Sequence, residues 1–372
     1  MADILLKSLE IRNFRAFRHL RVNTLGRVNL IVGKNNIGKT CLLEALRLYA
    51  RRGSPDVIFD LLESRDENKL PTSAEVLEPE SKTLNLRYLF YGRKEVGREG
   101  DTIKIGPVES PQHTLSISFV WQKQQSEEGG IIRLVPLKPE EYDTVDTPIL
   151  GIVTQLGSQF TVTRRVTRYL DRRRMPPVPS EINETPSIYI PANGPKKEQI
   201  ALWRDRSVVE GKRKYVLQAL RIIENDVEDV DLISNQELGR ERTPVVKLKE
   251  TENFIPLRSL GEGMNRLFVV ALGLVNAQNG ILLIDEVESG LHYSAQADLW
   301  RLVLQLAREL NIQVFATTHS KDCILAFNEA TKEPAEEDGV LIRLGRKGED
   351  IVTTLFDEEE LEIANEQSIE VR

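Results

Sequence analysis

Cysteine is scarce in this chain: only Cys41 and Cys323 occur in 372 residues. That excludes a disulfide scaffold and suits a reducing cytoplasm. Histidine is scarce too, and no four-ligand Cys/His cluster with zinc spacing emerges. Both cysteines follow candidate motifs, yet each reads first as a small core filler. Long apolar runs are missing. No stretch approaches roughly 18 apolar residues, so no transmembrane helix and no membrane partner are expected. Asp3 and Lys7 interrupt a very short apolar start, so no signal peptide is read there and the expected location is cytoplasmic. No long heptad array appears, which excludes an extended coiled coil. Internal repeats and low-complexity segments are absent as well. What remains is a soluble chain, 40% apolar and 6% aromatic, with an ample core and room for one large or two ordinary domains.

Charge is uneven. The chain carries −7 in all, but residues 331–372 hold thirteen acids against five Lys/Arg. The preceding 330 residues are therefore close to neutral, and the acidic total does not exclude nucleic acid. Two basic groups stand out. One is Arg164, Arg165, Arg168, Arg172, Arg173 and Arg174. The other is Lys196, Lys197, Arg204, Arg206, Lys212, Arg213 and Lys214. Such groups neutralise phosphates, or they form a solvated, internally paired face.

The strongest signal is a pair of motifs about 250 residues apart. The first is Gly33-Lys34-Asn35-Asn36-Ile37-Gly38-Lys39-Thr40, which fits G-x-x-x-x-G-K-[ST]. Arg27–Val32 before it is apolar and β-branched and reads as a strand. After it, Leu42, Ala45, Leu46 and Tyr49 recur at helical spacing. A glycine loop between strand and helix offers N–H groups and a helix N-terminus to phosphates. Lys39 adds a point charge, and the Thr40 hydroxyl is a candidate Mg²⁺ ligand.

The second motif is Ile281-Leu282-Leu283-Ile284-Asp285-Glu286, an apolar strand ending in two carboxylates. Ligands of open α/β sheets sit at the carboxyl ends of strands. Asp285 there would hold Mg²⁺, and Glu286 would polarise an attacking water. Around these lie Arg258–Arg266, with Gly261 and Gly263 at the start of a buried helix covering Leu267–Val275. Ser289–His292 follows the acids, then a helix from Ala295 to Leu310. A strand, Gln313–Thr318, ends in His319-Ser320. A histidine at that strand end, beside the acids, is a candidate catalytic group.

This order of motifs resembles an ABC-type ATPase head of the SMC/RecF/OLD group, close to stand-alone OLD-type ATPases without a TOPRIM domain. The opening Ser8–Phe17 and the ending from Gly339 are similar to the same group. The resemblance covers 1–52 and 240–372 well, and 53–239 poorly. It implies an α/β P-loop NTPase with an antiparallel β subdomain and a short helical insertion. It implies ATP and Mg²⁺ as cofactors. Gly33, Lys34, Asn35, Asn36, Ile37, Gly38, Lys39, Thr40 and Cys41 would bind nucleotide as the Walker A segment. Thr40 and Asp285 would hold the metal. Glu286, His319 and Lys39 would be catalytic, with His319 as the switch histidine. Leu260–Met264 would be the signature motif, with Gly261, Glu262 and Gly263 meeting nucleotide, and Ser289–His292 the D-loop. Arg15 would contact the nucleotide from the Asn13-Phe14-Arg15 turn. Gly261 stands where the usual signature has serine, so either backbone N–H groups or Ser259 make that phosphate contact. Gln155, Gln159 and Gln199 are candidates for the glutamine loop.

One head over 1–372 is expected, in four parts. These are a P-loop lobe (1–52), a β-rich irregular insertion (53–185), a helical arm (186–239), and a lobe with the signature, acid pair and acidic tail (240–372). Within the insertion, Thr114–Trp121 and Ile131–Val135 alternate as strands, and Gln122–Gly130 reads as a polar interruption. Ser187–Ile190 reads as a short strand, and 196–225 as helical. The resemblance implies an ATP hydrolase that dimerises head-to-head on ATP and gates a DNA-directed or anti-phage activity. The chain ends about where a TOPRIM domain would start, so any nuclease effector is expected to be a separate protein. Two other readings stay open: a RecF-like, ATP-gated DNA-binding repair protein, and an ATP-binding assembly scaffold with little turnover. A transporter ATPase fits the opening and the signature poorly.

Overall fold

Two apolar cores lie on opposite faces of one mostly parallel sheet, and its central strands are buried on both sides. The structure is a computed structural model. It describes residues 4–67, 86–93, 102–126, 132–141, 144–145, 148–158, 160–165, 184–234, 242–332 and 339–356.

The chain opens with a hairpin, β1 (Leu9–Phe14) and β2 (Phe17–Val22). β3 (Val28–Val32) runs through the glycine loop into α1 (Lys39–Ala50), and α2 (Pro55–Ser64) follows. Next come β4 (Thr102–Gly106), β5 (Leu115–Ser126), β6 (Ile132–Pro136), β7 (Ile149–Leu156) and β8 (Phe160–Arg165). β9 (Ser187–Ile190) precedes α3 (Lys197–Val209) and α4 (Arg213–Leu220). A small sheet is made by β10 (Val227–Ser234), β11 (Arg242–Leu248) and β12 (Ile255–Pro256). The last part holds α5 (Glu262–Asn276), β13 (Ile281–Ile284), α6 (Gln296–Glu309), β14 (Gln313–Thr317), α7 (Lys321–Thr331), β15 (Gly339–Lys347) and β16 (Asp350–Phe356).

The central sheet has the order β16-β15-β3-β14-β13-β9. All neighbours are parallel except the β15–β16 edge pair. Every residue of β3, β13 and β14 is buried, which is why these segments read as mostly apolar runs, interrupted only by the buried Asn29, Gln313 and Thr317. Side chains alternate between faces. Val28, Leu30 and Val32 enter the core built with α5, α6 and α7, while Ile31 enters the core shared with α1. The second core is closed by the antiparallel sheet β2-β1-β4-β5-β7-β8, with β6 on β5. α5 is buried nearly all round, from Arg266 through Val275. Each fully buried Leu or Val there contributes roughly 1.5–3 kcal/mol.

The α/β class and the antiparallel subdomain agree with the expectation from sequence. Two local readings change. Gln122–Ser126 is not an interruption: β5 continues through it, pairing with β6 from Gln122↔Pro136 to Ser126↔Ile132. Gln122 is buried, and the backbone ladder holds a polar segment extended where side-chain pattern alone would not. Of residues 186–239, expected as a helical arm, the described part 186–234 is not purely helical and packs into the central sheet and core. β9 joins the central sheet beside β13. Trp203 of α3, together with Val216 and Leu220 of α4, enters the core beneath α5.

Candidate functional site

The glycine loop is set by backbone geometry. Gly33 leaves β3 with φ +146°, and a Cβ there would lie 2.7 Å from the Leu344 carbonyl oxygen. Gly38 has φ +103°, and a Cβ there would come 3.1 Å from the Phe17 ring. Both places suit glycine alone. Lys34, Asn35 and Asn36 are exposed, and Ile37 is buried and anchors the loop. No side chain caps α1, so its first N–H groups remain free for an anion. Lys39 bends back over the loop, its Nζ donating to the carbonyls of Gly33 (2.7 Å) and Lys34 (3.2 Å). Burial lowers its pKa, and the carboxylates of Asp285, Glu286 and Glu288 pull it back up. Cys41 is buried behind the loop, where desolvation raises its thiol pKa. It fills space rather than facing the site.

The acid pair arrives from β13. The Thr40 hydroxyl donates to Asp285 Oδ2 at 3.0 Å. Thr317, at the end of β14, donates to Asp285 Oδ1 at 2.5 Å and accepts the Glu286 N–H at 2.9 Å. Thr40 and Asp285 are 245 positions apart in sequence, and the sheet order brings them together. Hydroxyl and carboxylate oxygens so placed are a hard donor set of the kind Mg²⁺ takes alongside substrate phosphates. Asp285 is 8% exposed, whereas the Glu286 side chain is 42% exposed and the His319 side chain 52%. His319 Nδ1 lies 3.6 Å from Glu286 Oε1 and 3.6 Å from Glu288 Oε1.

Three residues of the site carried no assigned role from sequence: Thr317, Arg266 and Glu288. Arg266 is buried in α5. Its Nη2 donates to the carbonyls of Asp285 (2.9 Å) and Glu286 (2.7 Å), and its Nε to that of Val287 (3.4 Å). Burial lowers its pKa, opposed by Glu288, Asp285 and Glu286. An arginine opening a continuous apolar helix was the available signal, because a buried guanidinium demands acceptors. Glu288 was signalled only by its place two residues after Glu286.

Arg15 does not face the loop, contrary to the expected nucleotide contact. Its side chain is 4% exposed, with Nε 2.7 Å from Glu44 Oε2 and Nη1 2.9 Å from Glu67 Oε1. Nη2 reaches the Leu61 carbonyl at 3.4 Å. The guanidinium is consumed by an internal ion-pair cluster that ties the β1–β2 turn to α1 and α2.

Gly261, Glu262 and Gly263 start α5 beside Gly290, whose missing Cβ would lie 3.4 Å from Glu262 Cβ. Among the described residues no hydrogen bond or ion pair joins these three to residues 33–40. Ser259 is exposed. Of the glutamines, Gln199 borders a cleft of about 760 Å³ that also meets Thr40 and Asp285. Gln155 lies on the antiparallel sheet and donates to the Gly157 carbonyl, and Gln159 is outside the described residues. Among the basic groups, Arg164 and Arg165 lie in β8, and Arg168 and Arg172–Arg174 are outside the described residues. In the second group, Arg204, Lys212 and Arg213 are paired with Asp231, Glu210 and Asp229.

The family model "AAA ATPase domain" matches residues 5–142 and 179–324. An "ATP/GTP phosphatase" of Helicobacter pylori is 22% identical over 364 residues, covering 88% of this chain and 89% of that protein. An uncharacterised protein of Methanocaldococcus jannaschii is 34% identical over 97 residues, 26% of this chain and 83% of its own. Among solved structures, an SMC head bound to the C-winged helix domain of ScpA aligns over 95% of this chain and 99% of that chain, with a TM-score of 0.48 and 11% identity. The SMC head domain from Thermotoga maritima aligns with a TM-score of 0.43 and 12% identity, over 95% and 99% of the two chains.

Proposed function

The chain belongs to the AAA ATPase domain family, and from that membership we propose that it binds Mg-ATP between residues 33–40 and the Asp285–Glu286 pair and hydrolyses it to ADP and phosphate. One observation carries the reading: the Thr40 hydroxyl and the Asp285 carboxylate meet at 3.0 Å at the end of the parallel sheet. Loop N–H groups and Lys39 would take the phosphates. Thr40 and Asp285 would hold Mg²⁺, which neutralises phosphate charge. Glu286, half-exposed at the mouth of the site, would accept the proton of the attacking water. His319, from the neighbouring strand end, would stabilise the transferred phosphoryl group. Lys39 already points its ammonium into the loop, so its carbonyl contacts are the ones a phosphate would replace.

The segment Gly261–Gly263, read as the signature, makes no hydrogen bond or ion pair with the chain's own loop among the described residues. A second copy, closing head-to-head with ATP between the two, would give it a phosphate to meet. Gln199 is then the glutamine that borders the metal end of the site. The biological output follows the resemblance: gating of a DNA-directed or anti-phage activity through a separately encoded nuclease. A slower, scaffold-like ATP binder is the second reading, favoured by Gly261 in place of the signature serine.

The test is titration and turnover of wild type beside Lys39→Ala with Mg-ATP. Loss of ATP affinity and of phosphate release in the variant is expected. Unchanged affinity in calorimetry would count against the site.

A further inference from the structure

The buried carboxylate of Glu288 has no part in the hydrolysis proposed above. The residue is 9% exposed, and its Oε2 accepts no hydrogen bond among the described residues. A buried polar atom without a partner is costly and calls for an explanation. Its other oxygen is already committed to one neighbour. Oε1 accepts the backbone N–H of His319 at 3.3 Å and lies 3.6 Å from that residue's Nδ1.

Glu286 Oε1 stands at the same 3.6 Å from Nδ1. Two carboxylates thus compete for one ring nitrogen, and their surroundings decide between them. The Glu286 side chain is 42% exposed, so water screens it and it can turn away. The Glu288 side chain is 9% exposed and tethered by the amide of the residue it would orient. Two cations of the site lie within its influence. Lys39 in the loop and Arg266 in α5 both feel Glu288 as a carboxylate that favours their charged forms.

We propose that Glu288 is a positioning residue for His319. It accepts the Nδ1–H hydrogen bond, fixes the imidazole in that tautomer, and leaves Nε2 as the ring's free nitrogen. In a neutral histidine the bond made by one nitrogen sets the role of the other. The same arrangement leaves Glu286 unengaged and available to water. The inference rests on His319 serving hydrolysis, as read above.

Selective ¹⁵N-histidine labelling reads the tautomer directly. The chain has four histidines, and the His319 signals are those lost in His319→Ala. Wild type is expected to show a protonated Nδ1, and Glu288→Gln a shift toward the other tautomer or a mixture. Turnover of Glu288→Gln should fall roughly tenfold or more, the size typical of lost orienting partners. ATP affinity should stay within about twofold, because the lost interaction matters only in the chemical step. In a His319→Ala background, Glu288→Gln should cost nothing further. Unchanged nitrogen shifts in Glu288→Gln would overturn the proposal. So would an equal loss of turnover with and without His319, which would assign the carboxylate to another partner. If His319→Ala alone hydrolyses ATP normally while the shifts still respond to Glu288→Gln, the positioning contact stands and the hydrolytic role of His319 falls.

Discussion

Glu286 holds φ +49°, a conformation that few non-glycine residues keep unless their surroundings enforce it. Here the enforcement is visible. Arg266 takes the carbonyl of Glu286, and Thr317 takes its N–H. The carboxylate is thereby aimed outward from a fixed backbone, half-exposed beside the buried Asp285. Glu286→Gln keeps the shape and removes the base. Turnover should fall at least roughly a hundredfold while ATP binding persists. Single-turnover phosphate release, measured with ATP titration, checks both parts, and near-normal release would remove Glu286 from this role. At this scale the sequence was readable wherever geometry restricts residue type. Gly33 and Gly38 stand where a Cβ would collide, and Lys39, Thr40 and Asp285 are the cation, hydroxyl and carboxylate that a Mg-triphosphate site would draw on. Arg266, Thr317 and Glu288 were not readable as site residues, because their roles come from strands and a helix that only folding brings together. The internal pairing of Arg15, expected to contact the nucleotide, was hidden for the same reason. The Arg15 turn does pack against the loop, through Ala16 and Phe17 against Gly38, but its guanidinium is paired with Glu44 and Glu67.

The β1–β2 turn shows what that arginine does instead. Asn13 and Arg15 both have positive φ, and the Arg15 N–H donates to the Leu89 carbonyl at 2.8 Å. The side chain then spans to Glu44 in α1, which also pairs with Arg65 at 2.8 Å. Glu44 is buried, and desolvation pushes its carboxyl pKa up against the pull of both guanidinium groups. Removing one partner of a buried pair leaves charge uncompensated and typically costs about 3–5 kcal/mol. Arg15→Ala should therefore lower the denaturation midpoint clearly, while ATP affinity of the folded fraction stays near wild type. A variant as stable as wild type but unable to bind ATP would restore the nucleotide contact. Whole elements were legible where one periodicity dominated. β3, β13 and β14 announced themselves as apolar runs, and α5 as a run too short for a membrane. β5 was legible only in its first half, since Gln122–Ser126 owes its strand to pairing with β6 rather than to its own pattern. β9 was found as a strand, but nothing in four residues says that it lies beside β13.

Among the described residues no hydrogen bond or ion pair joins loop 33–40 to the Gly261–Gly263 segment, and the composite site proposed above would bring them together through a second copy. Ile223, 41% exposed, lies beside the α5 start and would be covered by such a partner. The natural probe would be a bulky residue at Gly263, but a Cβ there already lies 3.1 Å from Ile223 Cδ1 and 3.3 Å from the Gly290 carbonyl oxygen. That substitution would disturb the monomer as well as the contact. Glu262 is the cleaner position, because its side chain is 63% exposed and, among the described residues, pairs with Arg258, itself 72% exposed, a contact of little energetic weight. Glu286→Gln traps ATP and should sediment as a dimer with Mg-ATP and as a monomer without it. Adding Glu262→Trp should return it to monomer at the same nucleotide concentration while ATP affinity per chain holds. If Glu286→Gln stays monomeric in every nucleotide state, or if the double variant dimerises equally well, closure across α5 is wrong. The chain would then work as a single head, and the low-turnover scaffold would be the better account of what its ATP is for.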